Sequence, residues 1–60
     1  MIKEIIVLNG GKEYHFIVGE DFGGAKIRKI ELVKGKYIAF LEKHREVEVN
    51  CQDVFVVYQY

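Results

Sequence analysis

Apolar residues recur at every second position along most of this chain, and no stretch carries the three-to-four-residue spacing of an amphipathic helix. Alternation of period two belongs to extended backbone, where successive side chains point to opposite faces. Ile2 to Leu8 is the first predicted strand, with Ile5, Ile6, Val7 and Leu8 apolar at both parities. Asn9-Gly10-Gly11-Lys12 then reads as a hairpin turn, because Asn and Gly tolerate positive φ. Glu13 to Val18 returns with Tyr14, Phe16 and Val18 on one side, and Gly19 to Gly24 reads as a loop. Ala25 to Val33 changes phase midway: Ala25 and Ile27 share one parity, Ile30 and Leu32 the other. A one-residue slip exchanges the faces of a strand, so a β-bulge or sharp bend is expected near Arg28-Lys29.

The second half follows the same grammar. Lys34-Gly35 is a tight turn, Lys36 to Lys43 a strand, His44-Arg45 a turn, and Glu46 to Asn50 a strand with Val47 and Val49 inward. Asn50-Cys51-Gln52-Asp53 breaks the pattern for about one turn, and Val54 to Tyr60 closes the chain without a charged side chain. The expectation is one all-β domain over residues 1–60, a small antiparallel barrel of five to six strands. This layout resembles the SH3-like small barrels, in which a one-turn 3-10 break precedes the last strand. The resemblance is one of topology. Peptide-binding SH3 domains use a Trp against Pro-rich ligands, and this chain has no Trp.

Several chemistries are removed by composition. The chain has no Ser or Thr, so hydroxyl nucleophiles of that kind are absent. Cys51 is the sole cysteine and cannot form an internal disulfide, which points to the reducing cytoplasm. Met1-Ile2-Lys3-Glu4 lacks the features of a signal peptide, and no apolar run approaches the roughly 20 residues of a membrane helix. His15, His44, Cys51 and Asp53 match no zinc-ligand spacing, so neither metal nor cofactor is expected. The Gly-rich stretch at 19–24 carries Glu20 and Asp21 and leads into a strand, which suits a turn and not a phosphate cradle. No convergent polar constellation suggests an enzyme. A free-standing chain this short suits an accessory protein of a bacterium or its mobile elements.

Two binding readings remain. The first is a non-catalytic interaction module that binds a protein partner or itself, as a homodimer. A chain of 60 residues has one small core and marginal stability, while Val54 to Tyr60 is apolar on both faces, with no Lys or Pro after Asp53 to blunt its edge. Phe55, Val57 and Tyr60 are the expected contact residues. The alternative is a nucleic-acid-binding barrel. Lys26, Arg28, Lys29, Lys34 and Lys36 supply five of the nine basic residues, beside Tyr37, which this reading takes as exposed for base stacking. Against it, nine acidic residues balance the nine basic ones, and five charges without net positive potential bind weakly once salt screens them. Lysines on a solvated edge also guard against strand-to-strand aggregation. Phe22, at the loop tip, either plugs the barrel end or anchors a partner.

Overall fold

The computed structural model describes residues 1–50 and 53–59. It is all-β, with 74% of the described residues in strands and no helix among them. The strands are β1 (Ile2–Asn9), β2 (Lys12–Ile17), β3 (Asp21–Phe22), β4 (Ala25–Val33), β5 (Lys36–Leu41), β6 (Arg45–Val49) and β7 (Asp53–Tyr58). They form two antiparallel sheets, in the orders β2-β1-β7 and β3-β4-β5-β6, one of them curled into a half-barrel. The expectation of five to six strands gives way to seven. The additional element is β3, in the stretch read as a loop, where Asp21 pairs with Lys26 and Phe22 with Ala25. The one-turn break before the last strand falls on Cys51 and Gln52, outside the described residues.

Local chemistry places the turns. Gly10 and Gly11 both have positive φ, as do Lys34 and Gly35, and each pair closes a two-residue hairpin between directly paired strand ends. Two consecutive left-handed residues match the twist of the flanking strands, which explains the glycines at three of these four positions, Lys34 being the fourth. The β5–β6 connection differs. Lys43 and His44 are both left-handed at φ 65° and 58°, and neither is Gly. The turn covers residues 42–44, so Arg45 opens β6 and does not belong to the turn as expected.

The phase change in β4 has the expected cause. Ile27 faces Leu41 while Lys29 faces Phe40, which leaves Arg28 as an extra residue in the ladder. Ile27 (2% exposed) and Ile30 (4%) therefore both point inward although their parities differ. The first strand uses the same device. Pairing with β7 shifts between Ile2 and Glu4, and Ile2 joins Ile5 and Val7 in the core. The core fills the space between the sheets with Ile2, Ile5, Val7, Ala25, Ile27, Ile30, Ala39, Leu41 and Val49. Phe16, Val18, Tyr37, Val47, Val54 and Val56 pack around it. Leu32 and Tyr14, whose parity suggested burial, are exposed.

One corner joins the sheets. After β2 the chain bends, Val18 N–H donates to the Lys3 carbonyl, and Gly19 N–H donates to the Ile27 carbonyl at 2.9 Å. Ile27 N–H in turn donates to the Glu20 carbonyl at 3.0 Å. Among the described residues no ladder links β6 to β7, so each ends its sheet.

Candidate functional site

The register assigns every side chain of the β2-β1-β7 sheet to a face, since directly paired residues lie on the same side. The outer face consists of three rows: Ile17–Glu4–Val57, His15–Ile6–Phe55 and Glu13–Leu8–Asp53. Five of these nine residues are apolar. Phe55 is 57% exposed and Val57 37%, while Ile6, Leu8 and Ile17 are half-buried by their neighbours and lie outside the core cluster. The His15 Nδ1–Glu4 Oε2 contact at 2.6 Å lies within this face, and Glu13 and Asp53 lie along one end. Val54 and Val56 have the opposite parity and pack on the core. The split within β7 follows from its uniform apolarity: one face meets the core, and among the described residues no strand lies over the other. Tyr60, the third residue expected at this surface, lies outside the described residues.

The outer face of the β3-β4-β5-β6 sheet is built differently. Its rows are Lys29–Phe40–Glu46 and Glu31–Ile38–Glu48. A shorter row, Val33–Lys36, completes it, so five charged residues surround three apolar ones, of which Val33 is 38% exposed. Lys29 Nζ sits 5.0 Å from the centre of the Phe40 ring and 3.4 Å from Glu31. Lys36 Nζ contacts Glu48 at 2.8 Å. This Lys36 hydrogen bond, followed by its charge and by a hydrogen bond to Asn50, holds the Glu48 carboxyl below its ordinary range.

The five basic residues at 26–36 do not gather into one surface. Lys26 and Arg28 lie at one end of β4, and Lys34 and Lys36 lie about the hairpin at its other end, roughly 15–25 Å away at the usual rise per strand residue. Lys29 and Lys36 are engaged by Glu31 and Glu48. Tyr37, expected to be exposed, is half-buried and packs on the core, because its parity in β5 matches Ala39 and Leu41. Phe22 stacks obliquely on Phe16, with ring centroids 5.0 Å apart, and keeps about a third of its surface open.

Sequence reasoning missed a notch beside the β4 bulge. Arg28, Lys29, Phe40, Leu41, His44, Arg45 and Glu46 line about 270 Å³ of open space. Sixteen residues of chain separate Arg28 from Arg45, but Leu41 pairs with both Ile27 and Arg45 and draws the two segments together. That proximity could have been read by counting registers outward from the two hairpin turns. A second groove, of about 350 Å³, is lined by Met1, Ile2, Ile30, Leu32 and Tyr58, with Lys29 and Glu31 beside them. Among the described residues, no group of three or more His, Cys, Asp and Glu is arranged to hold a metal ion. No helix among them is long and apolar enough to cross a membrane.

Compared with known proteins, the chain matches no family model, no curated protein and no solved structure.

Proposed function

We propose that this protein is a non-catalytic interaction module, an SH3-like small barrel that self-associates through the outer face of its β2-β1-β7 sheet. The barrel assignment rests on β1, which pairs with the hairpin partner β2 on one side and with the returning last strand β7 on the other. The working surface rests on one contrast. Charged residues outnumber apolar ones on the outer face of one sheet, whereas Ile6, Leu8, Ile17, Phe55 and Val57 make the other mostly apolar. Total surface agrees with this reading. The chain exposes 4546 Å² at 7.0 kDa, against roughly 4000 Å² for a typical monomer of that mass. Among the described residues β7 has no ladder partner on its outer edge, and no Lys or Pro stands from Val54 to Tyr58 to repel a second strand. A second copy covering this face would also stabilise a small core by mass action.

Sedimentation velocity over the micromolar range tests the proposal. The wild type should run as a dimer and Phe55→Lys as a folded monomer, with circular dichroism confirming that the strands persist. A wild type that stays monomeric throughout overturns self-association. A Phe55→Lys variant that dimerises normally places the contact elsewhere. Nucleic-acid binding along the 26–36 hairpin is the weaker reading, because two of its five cations are already paired and Tyr37 packs on the core.

A further inference from the structure

We infer that the notch between the β4 bulge and the β5–β6 turn is a phosphate-binding site, with Arg28 and Arg45 as its principal donors. A β-bulge re-aims the side chain of its extra residue, and here that residue is an arginine. Arg28 forms no ion pair with any described residue. Arg45 is steadied on one side only: its Nη1 donates to the Gly23 carbonyl at 3.4 Å, a long bond that leaves most of the guanidinium N–H groups unused. Gly23 has positive φ, and a Cβ there would come within 3.9 Å of the Arg45 guanidinium, so the backbone of the β3–β4 turn lies close against it. Guanidinium groups present planar, paired donors that suit phosphate oxygens better than an ammonium does.

The rest of the wall fits the same ligand. Lys29 adds a third cation, although it also contacts Glu31 at 3.4 Å, and Glu46 is the one carboxylate among the lining residues. His44 brings a ring nitrogen from a turn in which two consecutive non-glycine residues are held left-handed. Such backbone is costly, and it tends to persist where a side chain must be aimed. The volume of about 270 Å³ lies just below the range of ordinary small-molecule pockets and suits a phosphate group with its remaining waters. The phosphate could be a free or small-molecule phosphate or one link of a nucleic-acid backbone. The site lies on the sheet opposite the proposed dimer face, so the two ideas fail independently.

The test is a titration followed by backbone and arginine Nε–H resonances, with inorganic phosphate in one arm and a short oligothymidylate in the other. Saturable shifts confined to Arg28, His44 and Arg45 are expected in at least one arm, and Arg28→Gln should weaken that binding about tenfold or more. With the oligonucleotide, Arg28→Gln should also reduce the salt slope by about one, while Lys12→Gln leaves it unchanged. Saturation by phosphate alone assigns the site to phosphorylated small molecules, and saturation by both assigns it to either source. Phe55→Lys should bind like the wild type. Shifts that fail to saturate in both arms, or that spread equally to Lys3 and Lys12, overturn the proposal.

Discussion

At the scale of single residues, the meaning of a charge is set by what the register places opposite it. Lys36 looked like part of a basic hairpin, but Glu48 lies diagonally across β5 and β6 and takes its ammonium at 2.8 Å. Glu48 is consequently held below the usual carboxylate range, chiefly by the Lys36 hydrogen bond. A depressed folded-state pKa adds stability above the ordinary carboxylate range, and that contribution fades as the pH falls through the folded value. The pair is exposed, so its effect on stability is small. The titration itself is the sharper readout. In Lys36→Met, the carboxyl carbon resonance of Glu48 should titrate higher, towards the ordinary carboxylate range. An unchanged midpoint would mean that Lys36 does not hold the carboxylate.

Among the elements, β4 shows how much of the fold is legible and where legibility stops. Its bulge is written in the sequence because apolar residues stand at 25 and 27 and then at 30, with charges between them. The equivalent slip in β1 is invisible, since Ile5, Ile6, Val7 and Leu8 are apolar at both parities and no phase can be read from them. β3 is equally hidden, because two residues carry no period. Parity also cannot say how fully a neighbour covers a residue: Leu32 shares the parity of buried Ile30 yet is 56% exposed. The charge cluster misled for a related reason: neighbours along a nine-residue strand are spread over its two faces and both ends. Arg28 supplies a test at this scale. Deleting it places Ile27 and Ile30 two residues apart, so a regular ladder keeps the pairings Ile27–Leu41, Lys29–Phe40 and Ile30–Ala39 with both isoleucines inward. The deletion should therefore stay folded, with a urea midpoint within about 1 kcal/mol of that of Arg28→Gln, which keeps the residue count. A 60-residue domain has only about 3–9 kcal/mol in total, so turning out even one isoleucine, at about 1.5–3 kcal/mol, would be plainly visible. A deletion variant that loses that much would show that Arg28 does more than occupy the extra place in the ladder.

For the whole molecule, the two sheets are unlike in how far the chain must travel to build them. β4, β5 and β6 form a meander whose pairings span only a short stretch of sequence. β1, by contrast, has to find β7 from the far end of the chain, pairing Ile5 with Val56 and Ile6 with Phe55. Closing a long loop costs entropy before any contact repays it, so folding should be ordered in time. The meander forms at the rate-limiting step, and the first and last strands meet after it. Val47→Ala, at the core-facing side of the meander, should slow folding with a φ-value well above one half. Val56→Ala should mostly speed unfolding, with a φ-value near zero. Stopped-flow chevrons of the two variants measure this directly, and the reverse ranking would mean that the ends of the chain find each other first. On the expected ranking, the apolar strand Asp53–Tyr58 is the last to be covered. Each molecule then passes through a moment when β7 is unpaired along both edges, and crowded refolding mixtures should lose material to aggregation at that step.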